Sequence, residues 1–343
     1  MLQSPFGALV ERLALEPGFA GAQLVGSAPL TGGFWAETTR LDLTVAGTPR
    51  AVVVRRMPDR GAATKEAAIQ RAVAATGFAA PAVFLFDADG TEGSGGRAEV
   101  VMSLAQGAPM LSGLSGFAAL AKLPSLARRL PALLADAMAA LHAVDTTPVA
   151  AALARVDLTS AATLGAMLAG FVERTAAADR PDLADAMTRL AAAEPAAGEV
   201  VVCHGDLHPF NLLVTDDGTW TLLDWTASLL ADPAYDVAFT RLMLRHPPLS
   251  MPAPLAPVVS AAGRWLAKRF EIAYAEASGR RLDPVRVDWF DALLSARMLL
   301  EVDGWRQTNT VADHPGHPFL TIGPHAAATL TRQTGVPVAW RLT

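Results

Sequence analysis

The sequence predicts an α+β chain, with a small β-rich N-terminal part carrying one helix and a larger, mainly α-helical remainder. Three observations predict it. Leu41, Leu43 and Val45 alternate with Asp42 and Thr44, the period of a half-buried strand. Residues 64–76 carry a helical pattern closed by Gly77. Residues 115–193 are rich in Ala and Leu at helical spacing.

The elements follow in order. Residues 5–15 read as a short amphipathic helix and residues 24–56 as strands with turns, broken at Thr31-Gly32-Gly33 and again at Ala46-Gly47-Thr48-Pro49. Val52-Val53-Val54 leads into Arg55-Arg56, and Pro58 to Gly61 ends the sheet pattern. The helix over 64–76 places Glu66, Ile69, Gln70 and Val73 on one face. Residues 82–86 and 98–104 read as two further strands around a Gly-rich turn at 93–96. Leu130 to His142 is a helix with Leu133, Leu134, Ala137 and Leu141 on one side. A hairpin interrupts the helical part at 211–224, and helices resume from Asp232 with Pro-rich breaks at 247–257. The length of 343 residues suits two domains or one large one.

Composition removes several function classes. With 52% hydrophobic and 18% charged residues the chain can build a large core. A formal net charge of −5 speaks against binding nucleic acid through a global basic field. The single cysteine, Cys203, excludes an intrachain disulfide framework and a Cys-based zinc cluster, and reads as a small buried hydrophobe. Glu11 and Arg12 interrupt the apolar N-terminal stretch, which therefore does not read as a signal peptide. There is no uncharged apolar run of about 18 residues, so no membrane span is expected. The expected setting is cytoplasmic.

The chemistry concentrates in residues 204–224, which place Asp206, Asn211 and Asp224 around a short apolar hairpin. Asp217-Gly218 is a strong two-residue turn signal. If it forms the turn, the pairs run 216/219, 214/221, 212/223 and 211/224, and Asn211 faces Asp224. Opposed side chains lie roughly 5 Å apart at Cβ, close enough to hold one hard cation such as Mg²⁺. Asp206 precedes Asn211 by five positions, the catalytic-loop spacing of phosphoryl-transfer kinases. That chemistry needs a carboxylate to orient and deprotonate a hydroxyl, a divalent metal on the phosphates, and a cation to grip them.

Three blocks resemble the aminoglycoside phosphotransferase family, the choline-kinase-like relatives of protein kinases. His204-Gly205-Asp206-Leu207-His208-Pro209-Phe210-Asn211 is similar to its H-G-D-x-x-x-x-N loop, Leu223-Asp224-Trp225 to its metal-binding segment, and Asp232-Pro233-Ala234-Tyr235-Asp236 to its D-P-x-x-D segment. The resemblance implies a bilobal protein kinase-like fold. A nucleotide-binding lobe would span 1–103, and a catalytic and acceptor-binding lobe 104–343. It implies Asp206 as base, Asn211 and Asp224 on Mg²⁺, and Asp236 as a structural brace of the loop. Residues 30–38, with Gly32 and Gly33, resemble the loop over the nucleotide phosphates. Arg55 stands where such kinases carry a phosphate-binding Lys, and strand alternation favours it over Arg56. Glu66 matches the helix carboxylate that pairs with this cation. Val100 to Leu104, with Met102, Ser103 and Leu104, resembles the hinge that reads the purine edge. The implied donor is ATP or GTP, and the partner a small-molecule hydroxyl acceptor, with oligomeric state open.

The sequence departs from the family pattern at Thr226, where many members have Glu, at Phe210, where Gly is frequent, and at Ala231. These departures bear on the acceptor rather than on phosphoryl transfer. Arg at 55 keeps the charge but offers a planar fork in place of a point charge. His204 reads as loop support, and His208 equally as loop support or site contact. Residues 285–306 read as a helix with core and surface faces, or as one wall of the acceptor pocket. The stretch mixes both charge signs and carries two Trp, unlike the dense acidic pocket a polycation favours. Two other readings stand beside the kinase. One is a nucleotide-binding pseudokinase or regulatory protein, against which the complete Asp/Asn/Asp set argues. The other is a metallohydrolase using His204, Asp206 and His208, which leaves the N-terminal β part without a role. A protein kinase lacks support, because Asp232-Pro233 follows Asp224 too soon for an activation loop.

Overall fold

The computed structural model describes residues 4–30, 36–110, 116–177, 179–247 and 256–342, without the side chains of 116–126, 177 and 256. The chain divides into two compact units. One comprises Met1–Pro109, Thr147–Thr159 and Leu212–Ser228, and the other Met110–Thr146, Ser160–Asn211 and Leu229–Thr343.

The first unit opens with helix α1 (Gly7–Leu13), followed by strands β1 (Gln23–Pro29), β2 (Glu37–Val45) and β3 (Thr48–Met57). Helix α2 (Arg60–Ala75) then leads to β4 (Val83–Asp87) and β5 (Ala98–Ser103). The strands form one antiparallel sheet in the order β1-β2-β3-β5-β4. The alternation of β3 divides its residues between two layers. Val52 and Val54 join Leu9, Leu13, Phe19, Leu41 and Leu43 in the core toward α1. Val53 packs on the other face with Ala67 of α2, Val100 and Met102. Burying side chains of this size stabilises by about 1.5–3 kcal/mol each. Helix α2 starts at Asp59, whose side chain accepts from Ala62 N at 2.9 Å, the N-cap arrangement that satisfies an otherwise orphaned donor. It buries the expected face of Glu66, Ile69, Gln70 and Val73.

A second, three-stranded sheet in this unit joins β6 (Ala108–Pro109), β8 (Leu212–Val214) and β9 (Trp220–Leu222). Its hairpin corrects the expected register by one residue. Leu212 pairs with Leu222, Leu213 with Thr221 and Val214 with Trp220. Thr215 N donates to Thr219 O at 2.9 Å and Gly218 N to Thr215 O at 3.0 Å. The turn therefore holds three residues, 216–218. A two-residue turn of the expected type needs positive φ at both centres, whereas here Gly218 (φ 88°) has it and Asp217 does not. The Asp217 carboxylate explains the choice, since it accepts from Thr219 N at 3.1 Å and from the Thr215 hydroxyl. The ladder ends at Leu212/Leu222, and Asp224 lies two residues beyond it.

The second unit is built on helices α3 (Gly116–His142), α5 (Leu164–Ala177), α6 (Pro181–Ala192), α7 (Pro233–Arg245), α8 (Ala256–Ser278), α9 (Pro284–Gln307) and α10 (Pro318–Thr334). A further helix, α4 (Thr146–Arg155), falls mostly in the first unit. Two short strands, β7 (Val201–Cys203) and β10 (Leu229–Ala231), pair antiparallel beside α7. Helices α7 and α9 are buried along most of their length, Tyr235, Phe239, Trp289, Phe290 and Trp305 included. Among the described residues no single helix is long and apolar enough to cross a membrane.

Candidate active site

In the first unit the sheet, α2 and the end of the hairpin bring four side chains together. Strand alternation turns Arg55 toward α2 and Arg56 the opposite way. Arg56 is spent on structure, donating to Glu99 Oε1 at 2.9 Å and to Pro5 O at 2.8 Å while its guanidinium lies over the Phe6 ring. Arg55 Nη1 stands 2.8 Å from Glu66 Oε1, and Nη2 donates to Asp224 Oδ1 at 3.2 Å. The fork of one guanidinium thus spans two carboxylates, which a single ammonium does less well. The Thr226 hydroxyl completes the group, 2.6 Å from Glu66 Oε2 and 2.8 Å from Asp224 Oδ1.

Burial opposes the charge of Arg55, but Glu66 and Asp224 outweigh it and raise its pKa above the ordinary value. Burial in turn pushes the fully enclosed Glu66 carboxyl up, with Arg55 pulling against it. Asp224 remains about a quarter exposed, at 26%. It is also one of few non-glycine residues with positive φ, 61°. Such a backbone costs on the order of 1–3 kcal/mol and persists only where its surroundings impose it. They do so here: Leu222 N donates to Ala79 O at 2.9 Å, Trp225 Nε1 to Leu222 O at 3.2 Å, and Phe78 packs its ring against Trp220 and Trp225.

Of the residues expected to form a hinge, Met102 and Ser103 lie in β5. Met102 is buried and its sulfur accepts from Gln70 Nε2 at 3.6 Å. Ser103 is held to Ala82 twice, through its main-chain N–H and through its hydroxyl oxygen, each at 2.9 Å. Leu104 lies past the strand, packed on the Val53 cluster. Gly32 and Gly33 lie outside the described residues.

In the second unit the loop over 204–211 is fixed from below. Asp236, on the first turn of α7, accepts from His204 N at 2.7 Å and from Gly205 N at 2.6 Å, one bond to each carboxylate oxygen. His142 Nε2 is 3.2 Å from Asp236 Oδ2, and its Nδ1 is 2.8 Å from the Tyr274 hydroxyl. A carboxylate only accepts, so Nε2 carries a proton toward Asp236. The Thr240 hydroxyl donates to Leu207 O at 2.7 Å, and Arg297 of α9 donates to Gly205 O at 3.0 Å. His204 and Cys203 are fully buried beneath the loop, and burial pushes the Cys203 thiol well up.

Within the loop Asn211 Nδ2 donates to Asp206 O at 2.9 Å and to Asp206 Oδ2 at 3.1 Å. Because both acceptors are oxygens, the amide nitrogen faces them and the amide oxygen is turned away. His208 Nδ1 accepts from Phe210 N at 3.2 Å, which leaves Nε2 on the side of Asp206, 3.7 Å from Oδ2. The structure thus gathers Arg55, Glu66 and Asp224 in one unit and Asp206 and Asn211 in the other. Sequence reasoning missed the bracing role of His142 and the bond from Arg297 to Gly205. No local signal marks them, since their partners lie 94 and 92 residues away. Thr226 was legible only as a departure from a pattern.

Residues 29–284, more than half of the chain, match the model of the phosphotransferase enzyme family. The chain belongs to this family. It is a phosphotransferase, and it shares the protein kinase-like fold with solved structures of low sequence identity. One is a Ralstonia eutropha protein provisionally assigned as an aminoglycoside phosphotransferase (TM-score 0.64, 20% identity, covering 96% of this chain and 97% of that one). A second is an aminoglycoside phosphotransferase in ternary complex with AMP-PNP and hygromycin B (TM-score 0.57, 18% identity, 96% and 99%). A third is the Plasmodium vivax ethanolamine kinase (TM-score 0.59, 12% identity, 89% and 84%). The α+β fold class of this phosphotransferase is the one its sequence predicts.

Proposed function

We propose that this phosphotransferase moves the γ-phosphate of ATP or GTP to a hydroxyl of a small molecule, with Asp206 as the base. The observation that carries the reading is the Asp206–Asn211 pair. The loop presents a partly exposed carboxylate, and one asparagine locks it through both its main chain and its side chain. A carboxylate so held can orient an acceptor hydroxyl and take its proton as the oxygen attacks phosphorus. Arg55 would grip the nucleotide phosphates, with Glu66 holding its guanidinium in place. Leu104, next to Met102 and Ser103, would offer main-chain groups to the purine. The small-molecule acceptor is supported by family membership and by the hygromycin B and ethanolamine named for the solved relatives.

The amide oxygen of Asn211 and the carboxylate of Asp224 are hard donors of the kind Mg²⁺ requires, and we assign the metal to them. When bound, the ion supplies charge neutralisation on the phosphate oxygens. The test separates the roles. Asp206→Ala should abolish transfer while the thermal shift induced by Mg-ATP or Mg-GTP persists. Asp224→Ala should remove that shift itself. Undiminished transfer by Asp206→Ala would overturn the assignment of the base. A persistent nucleotide shift in wild type, with no turnover across a broad set of alcohols, would point to a nucleotide sensor instead.

A further inference from the structure

The second unit carries a run of rings that extends from the Asp206 loop. Phe210 is half exposed, at 50%, and its ring centroid is 6.1 Å from that of His208. His317, at the N-cap of α10, lies within electrostatic reach of both Asp206 and His208. Its ring packs edge-on to Trp305 at 4.7 Å, and His314 stacks on Trp305 at 4.1 Å with 19° between planes. Helix α9 ties this group to the loop. Arg297 and Trp305 are eight residues apart, on one helical stripe about 12 Å long, and Arg297 donates to Gly205 O.

The acids of α9 are already matched. Every acid of α9 stands beside an arginine: Asp288 and Asp291 beside Arg241, Glu301 beside Arg174 at 3.8 Å, and Asp303 beside Arg180 at 2.5 Å and Arg306 at 3.4 Å. A polycationic acceptor would have to displace these arginines to find counter-charges there. Burial, with His314 and His208 nearby, lowers the His317 pKa to about 4 and keeps its ring neutral near pH 7. Phe210, His208 and His314 therefore offer ring surface on the side of the base, onto which apolar and aromatic groups pack well.

We infer that the acceptor is an uncharged alcohol with an apolar or aromatic body, seated against Phe210, His208 and His314, and not a polyamine. This rests on the proposed transfer from a nucleotide through Asp206. The acceptor O–H bond breaks, with its proton passing to Asp206. A new O–P bond forms as the bond from the γ-phosphorus to the bridging oxygen breaks, and the nucleoside diphosphate leaves.

The test measures ADP formation with Mg-ATP and two acceptor sets, phenyl- and alkyl-substituted alcohols and aminoglycosides. Turnover driven by the first set, with kcat/KM at least about tenfold above the second, is expected from the selectivity a well-fitted apolar pocket supplies. Phe210→Ala should raise the KM for the best alcohol about tenfold, and Phe210→Trp should keep it within about threefold. Aminoglycosides turned over as well or better, turnover driven by neither set, or an unchanged KM in Phe210→Ala would each overturn the inference. Failure of the underlying reading looks different. In that case wild type shows no Mg-nucleotide thermal shift, or Asp206→Ala transfers as well as wild type.

Discussion

Thr226 is hydrogen-bonded to Glu66. Its Oγ1 stands 2.6 Å from Glu66 Oε2 although 160 residues separate the two in the chain. The same oxygen lies 2.8 Å from Asp224 Oδ1 and accepts from Arg55 Nη2 at 3.4 Å. One small hydroxyl thus links the α2 carboxylate, the strand cation and the hairpin carboxylate. Thr226→Val keeps the shape and removes the link. It leaves a fully buried carboxylate short of a donor, a loss worth about 1–3 kcal/mol. Urea unfolding should show a lower midpoint for Thr226→Val and a near-normal one for Thr226→Ser. Equal midpoints for all three proteins would dismiss the link.

Arg55, like that hydroxyl, bridges Glu66 and Asp224. Arg55→Ala strands Glu66 uncompensated in the interior, and breaking a buried pair in this way costs about 3–5 kcal/mol. Arg55→Lys restores the charge without the fork. Chemical denaturation should rank the proteins wild type, Arg55→Lys, Arg55→Ala, and the KM for Mg-nucleotide should rise in the same order.

Asp236 uses one oxygen for each of two consecutive main-chain donors, His204 N and Gly205 N. Asparagine has one accepting oxygen, so Asp236→Asn deprives one buried N–H of its partner. The loop that carries Asp206 should loosen. We expect kcat to fall on the order of 10–100-fold, the effect of about 1–3 kcal/mol of misplacement, while the nucleotide-induced thermal shift stays near the wild-type value. An unchanged kcat would show that the brace is dispensable.

His317 makes stability depend on acidity. Its folded pKa is lowered from 6.5 to about 4, chiefly by burial. Between these values the unfolded chain binds more protons than the folded one, so stability increases with pH. The contribution is full above pH 6.5 and is lost as pH falls toward 4, up to about 3 kcal/mol for a ring this deeply buried. His317→Gln should flatten that slope in urea titrations run from pH 4 to 7. The same slope in wild type and variant would assign the effect to other groups.

Much of this was readable along the chain because its causes are local. The period of two in β3 separates Arg55 from Arg56 before any partner is known. The period of the helix places Glu66 on the same side as Ile69 and Val73. The five-residue interval between Asp206 and Asn211 lies within a single loop. The hairpin was misread by one residue for an equally local reason of finer grain. The Asp217 carboxylate captures Thr219 N and the Thr215 hydroxyl, and so draws the loop out to three residues. A dipeptide signal does not contain that competition.

By itself, then, the sequence determined the α+β order of elements, the faces of the N-terminal strands and helix, and the composition of the loop that carries Asp206, since period and spacing act between near neighbours. Only the tertiary structure decided what holds those groups in place. The Thr226 link, the seating of the hairpin that bends Asp224 to positive φ, and the His142–Asp236 brace depend on residues brought together from distant segments. So do the rings beside Asp206. Packing of buried surfaces selects such contacts between distant segments, and no local period records them.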